Sequence, residues 1–134
     1  MKTFELTPNM LTMSGTFYPK GYAFIMFADE ATASAVGRDV ARQFSLPDIV
    51  MLLSPASILR DIGKVQGDSD IALPSVGTEG ATVRKYVDLA RKGQWALMVK
   101  VNSDEEAELV MRAARQACFT YAQRYHLLAM EDLD

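Results

Sequence analysis

Tyr22-Ala23-Phe24-Ile25-Met26-Phe27 is an unbroken apolar run of strand length, and its uniformity suits a strand covered on both faces at the centre of a sheet. Trp95-Ala96-Leu97-Met98-Val99-Lys100-Val101 is a second such run in the other half of the chain. Working outward from the first, Asp29 offers an N-cap, and Ala33, Val36, Val40 and Phe44 follow at spacings of three and four, which makes one apolar stripe along a helix. Pro47 forbids continuation, and residues 48–53 form a second apolar strand. Beyond the Trp95 run, Ser103-Asp104-Glu105-Glu106 is a capping box, with the serine side chain bonding the Glu106 amide and the Glu106 carboxylate reaching back to the serine amide. The helix it opens carries Ala107, Val110, Met111, Ala114 and Cys118 on one stripe, which makes Cys118 a core residue. Residues 121–128 read as the last strand, with Tyr121, Tyr125 and Leu127 on one face and Arg124 and His126 on the other.

Strand, capped helix, strand therefore occurs twice, and that repeat is the ferredoxin-like α+β plan, in which a sheet with antiparallel pairs buries one face beneath two helices. The chain divides into an N-terminal arm (1–21), a first repeat (22–62), a flexible connector (63–80), and a linking helix with the second repeat (81–134), all in one domain. The arm, punctuated by Pro8, Gly15, Pro19 and Gly21, is expected to be loose, with one short edge strand near residues 11–17. Ser54-Pro55 starts a short helix that Gly63 ends; a further helix over residues 81–92 presents Val83, Tyr86, Val87 and Ala90 and stops at Gly93. Residues 130–134 are read as a frayed tail. A sheet with helices on one face needs cover on the other, from the extra helices or from a second copy, and this is the physical reason to expect a homodimer.

The 134 residues, 49% apolar and 23% charged, bury an ordinary core without a disulfide or metal staple. A net charge of −3 without basic runs argues against a general phosphate-binding surface, so nucleic acid is not an expected partner. One cysteine fits a reducing compartment. No run has the length of a signal peptide core or a bilayer span, so the expected location is the cytoplasm, without membrane contact.

Lys20-Gly21-Tyr22-Ala23-Phe24-Ile25-Met26-Phe27 matches the RNP1 pattern of RNA-recognition motifs, whose strand aromatics stack on bases. That strand stands third in such domains, however, and 21 residues leave no room for the elements that precede it; Asp29 and Glu30 also make its surroundings acidic. His126 is the only histidine, which excludes His-His acid/base pairs; as a proton carrier it would need Tyr22, Tyr86 or Glu131 beside it. The glycines of the connector fit neither phosphate-loop spacing, the acidic turn at Asp104 to Glu108 is explained by the helix dipole, and no nucleophile elbow or metal motif is present. No cofactor or metal is expected.

The segment from Gly21 through Leu53, with its strand, alanine-rich helix and Pro47-Asp48 entry into a second strand, resembles bacterial general-stress-protein type domains and related small ferredoxin-like proteins; residues 94–133 are similar. The resemblance implies a stress-associated or accessory role with no assigned chemistry and no functional residues to carry over. The expected function is binding of a small molecule or protein partner by a non-enzymatic homodimer. The pocket is placed between sheet and connector, with Tyr22, Arg60, Tyr86, Trp95, Arg124 and His126 supplying polar and aromatic contacts. Two alternatives make different demands. A dimeric α+β barrel enzyme, of cofactor-independent oxygenase or isomerase type, requires a deep apolar cavity with His126 or a tyrosine at its floor. An RNA module requires Tyr22, Phe24 and Trp95 exposed together on one open sheet face.

Overall fold

A computed structural model of the chain describes residues 1–12, 15–44, 49–63, 77–126 and 129–134. Its centre is a six-stranded sheet made of β1 (Lys2–Thr3), β2 (Tyr22–Phe27), β3 (Val50–Leu53), β4 (Trp95–Lys100), β5 (Tyr121–Tyr125) and β6 (Met130–Asp132), in the order β1-β3-β4-β2-β5-β6. All neighbours are antiparallel except β1 and β3. The helices are α1 (Glu30–Phe44), α2 (Pro55–Ser57), which runs into a π-helical turn at Ile58–Ile62, α3 (Gly77–Arg91) and α4 (Asp104–Gln116). The fold is mixed α+β.

β2 is central because it has nothing to show water: its five residues after Tyr22 are all buried. Strand geometry sends alternate side chains to opposite faces. Ala23, Ile25 and Phe27 meet the stripes Ala33, Val36 and Val40 of α1 and Ala107, Val110 and Ala114 of α4, as the helical spacings predict. Phe24 and Met26 point the other way, and there the expectation of helices on one face only is corrected. Val83, Tyr86, Leu89 and Ala90 of α3, with Ile58 and Ile62 of the π turn, fill the second face. Each large apolar side chain so buried contributes about 1.5–3 kcal/mol, so a stripe of this size is decisive for where α3 lies. The face that suggested a second copy of the chain is covered from within.

The N-terminal arm is packed rather than loose. Phe4, Met10, Phe17 and Tyr18 are buried in the α3-side core, β1 pairs in parallel with β3, and Leu11 bridges Phe17 where a short edge strand was expected. The C-terminal residues are likewise not a frayed tail, since β6 extends the sheet beside β5, with Gln123 opposite Asp132 and Tyr125 opposite Met130. Of the expected connector, residues 64–76 lie outside the described residues, as do Pro47 and Leu127; residues 77–80 already belong to α3, which begins four residues before its expected start.

Caps follow the sequence with two exceptions. The Asp29 carboxylate accepts from the Thr32 amide at 2.8 Å, and this bond, with one from the Thr32 side chain, holds its pKa below the ordinary value. Ser54 accepts from the Ser57 amide and Ser103 from the Glu106 amide, each at 3.1 Å. Glu106, however, reaches one residue further back than expected, accepting from the Asn102 amide at 2.8 Å. Gly63 is the second exception: it stands at the C-cap after Ile62 as expected, but at φ −63°, in right-handed rather than left-handed backbone.

Cys118 is a correction of another kind. It is exposed, with φ +57°, beyond the end of α4. The Cys118 amide donates to the Arg115 carbonyl at 3.0 Å and the Phe119 amide to the Ala114 carbonyl at 3.1 Å. That pair of bonds is a Schellman motif, which needs one left-handed residue whatever the apolar pattern says. α3 ends in the same motif with Gly93 at φ +89° in the corresponding place.

Candidate functional site

Polar side chains gather around β5. Its odd residues Tyr121, Gln123 and Tyr125 face α3, and Ala122 and Arg124 face α4. Tyr125 belongs to an interior aromatic cluster: its ring meets Tyr18 edge-on at 4.9 Å, and its hydroxyl lies 2.8 Å from that of Tyr86, which in turn stacks on Phe24 at 4.0 Å. Burial, with the neighbouring Tyr125 next, raises the Tyr86 pKa well above the ordinary tyrosine value. Tyr86 is thus a neutral core residue bonded to Tyr125 and is not the partner of His126.

The six residues assigned to one pocket are not brought together as a set. Tyr22 is half-buried at the start of β2 on the α3 side, whereas Trp95 is half-buried at the start of β4 on the α1/α4 side. Arg60 is exposed on the π turn, held by Asp61 at 3.0 Å and by the Ser57 hydroxyl at 3.4 Å. Only Arg124 and His126 meet, at a shallow notch of about 290 Å³ with Lys20, Gly21, Val101 and Tyr125. Both are engaged in structural contacts: Arg124 Nη1 lies 2.7 Å from Asp104 at the start of α4, and His126 Nε2 lies 2.8 Å from Glu131 across the hairpin, while the His126 carbonyl accepts from the Tyr18 hydroxyl. The carboxylate partner for His126 is therefore Glu131, and their pairing is half-exposed, where such contacts contribute at most about 1 kcal/mol.

The aromatic platform of an RNA-recognition motif is not formed. Phe24 is wholly buried against Tyr86, and Tyr22 and Trp95 lie on opposite faces. The same packing fills the face on which a barrel enzyme would open its cavity.

Polar groups that belong to no core or cap line a groove of about 430 Å³ between α3 and the β5–β6 hairpin. Lys85 stands on one rim, its ammonium 5.8 Å from the centre of the Tyr121 ring, and Asp132 on the other. Met130 supplies soft apolar surface. Gln123, only 2% exposed, donates from Nε2 to the Tyr121 hydroxyl at 3.0 Å and to the Asp132 carboxylate. An ionised carboxylate has no proton to give, so the amide NH2 must face Asp132, and Oε1 remains an acceptor. The Tyr121 hydroxyl accepts from Gln123, and among the described residues its own proton meets no second side-chain acceptor. Thr82, 5% exposed, lines the same groove, and its hydroxyl makes no hydrogen bond among the described residues.

None of these groove residues was among the site residues read from the sequence, although Tyr121 was placed on one face of the last strand. Gln123, a polar residue between Tyr121 and Tyr125 on the inward face of a strand, was the available signal; Asp132 became visible only once β6 was seen to pair. Among the described residues no cluster of His, Cys, Asp and Glu is arranged to hold a metal, and no helix is long and apolar enough to cross a membrane. Comparison with known protein families, curated proteins and solved structures finds no match for the chain.

Proposed function

We propose that the chain is a non-enzymatic binding protein of ferredoxin-like plan that holds a small molecule in the groove between α3 and the β5–β6 hairpin. The plan is supported by the inner strand order β5-β2-β4-β3, antiparallel throughout, in which β2-α1-β3 and β4-α4-β5 interleave. The observation that carries the binding reading is the burial of Gln123 and Thr82 beneath the groove. Among the described residues no buried side-chain nitrogen or oxygen is left without a hydrogen bond, so whatever polar atoms of these two side chains make no bond are open to the groove. Polar groups held in place at the floor of a concave, partly aromatic surface are what orient a ligand. The groove lies within the size range of ligand pockets, and one chain suffices to form it.

The test is a thermal-shift screen of small polar metabolites followed by NMR mapping. A compound at a hundred times its dissociation constant stabilises the native state by about 2.7 kcal/mol. The expected result is a stabilising compound whose shift perturbations centre on Thr82, Tyr121 and Gln123, and whose effect disappears in Gln123→Leu. Stabilising compounds that map elsewhere, or that bind Gln123→Leu as well as they bind the parent, overturn the assignment.

A further inference from the structure

The groove carries one positive and one negative side chain on opposite rims. Lys85 projects from α3 and Asp132 from β6, and no ion pair joins them among the described residues. In a protein that used them only for stability, facing opposite charges on adjoining elements would be expected to close on each other. Here each is turned to a separate neutral partner: Lys85 to the face of Tyr121, Asp132 to the Gln123 amide. The Tyr121 hydroxyl and the Asp132 carboxylate both accept from Gln123 Nε2, which fixes Asp132 in place at its end of the groove.

Resting on the binding reading above, we propose that the ligand is a small zwitterion of the α-amino-acid type. Its carboxylate lies toward Lys85 and its ammonium toward Asp132. Its side chain rests on Met130 and the Tyr121 ring. An ammonium needs acceptors and a carboxylate needs donors, and the two walls separate those functions as such a ligand separates its charges. A purely anionic or purely cationic ligand would leave one charged wall facing a like charge, which costs affinity. The Thr82 hydroxyl, able to donate and accept, is compatible with either end.

The experiment titrates the protein with the common amino acids singly. The tightest is then compared with its N-acetyl derivative, which keeps only the carboxylate, and its methyl ester, which keeps only the ammonium. Calorimetry gives affinity and NMR gives location. The zwitterion is expected to bind in the groove, each singly charged derivative about tenfold or more weakly, and Lys85→Glu and Asp132→Lys each to lose binding while retaining the fold by circular dichroism. If a derivative binds the groove as tightly as the parent amino acid, charge pairing is wrong and the groove remains a binding site. If amino acids fail while another metabolite from the screen maps to the groove, the ligand class is wrong but the binding reading survives. If no compound of either kind maps there, both fall.

Discussion

The two Schellman motifs permit a swap with opposite signs at equivalent positions. Cys118 occupies the left-handed position after α4 at φ +57°, where a side chain bearing Cβ costs about 1–2 kcal/mol relative to its preferred backbone. Glycine removes that strain but brings greater freedom to the unfolded chain, a cost of about 0.5–1 kcal/mol. Cys118 is exposed, so little packing is lost, and Cys118→Gly should stabilise the protein by about 0.5–1 kcal/mol. Gly93 is the mirror case. It holds φ +89° with nothing within 4 Å of an added Cβ, so Gly93→Ala meets no clash and bears the backbone strain alone. A loss of about 1 kcal/mol is expected, reduced from the full strain by the stiffer unfolded chain. Urea unfolding measures both: the midpoint should rise for Cys118→Gly and fall for Gly93→Ala, with unchanged slopes. A Cys118→Gly midpoint at or below that of the parent, beside the expected fall for Gly93→Ala, would refute the claim that Cys118 is held in a strained conformation.

Two further outcomes follow from the core. Burial raises the Tyr86 pKa well above its ordinary value of about 10, whereas the unfolded chain ionises normally. The unfolded state therefore releases a proton that the folded state retains, so this contribution is complete below pH of about 10 and fades as pH rises toward the folded value; denaturant midpoints should fall across that range, and less steeply in Tyr86→Phe. In α1, Gly37→Ala gains about 1 kcal/mol of helix propensity, but its Cβ would crowd the Met1 sulfur and approach Leu97 Cδ2 to 3.0 Å. Met1 can swing aside, whereas Leu97 is fully buried, and overpacking costs about 1–3 kcal/mol, so a net loss near 1 kcal/mol is expected; a gain in thermal midpoint would show that the helix–sheet contact has slack.

The inner architecture was legible because it is written in side chains. The runs around Phe24 and Met98 and the stripes of α1 and α4 are apolar at strand and helix periods, and the caps at Asp29, Ser54 and Ser103 are local chemistry. The sheet's rims were not legible. β1 is two polar residues and β6 is Met130-Glu131-Asp132, and both are strands because a neighbour offers backbone donors and acceptors, which leaves no periodic trace. Cys118 misled for the converse reason, since its apolar spacing outran a helix that the backbone had already ended. The candidate site suffered twice. The aromatics and cations named from the sequence went to the core, to the opposite face or to separate ion pairs on the π turn, at the start of α4 and in the hairpin, while the groove depends on β6 and on one inward glutamine between two tyrosines.

β2 has both its neighbours, β4 and β5, in the second half of the chain. As the polypeptide leaves the ribosome, this wholly apolar-facing strand has both edges open until β4 has emerged and one edge open until Tyr125 has. The first repeat is thus no autonomous building block, and a ribosome-stalled fragment ending before Trp95 should engage trigger-type chaperones or aggregate. Completion of the last hairpin, rather than emergence of the first βαβ unit, sets the moment at which the nascent chain becomes protease-resistant.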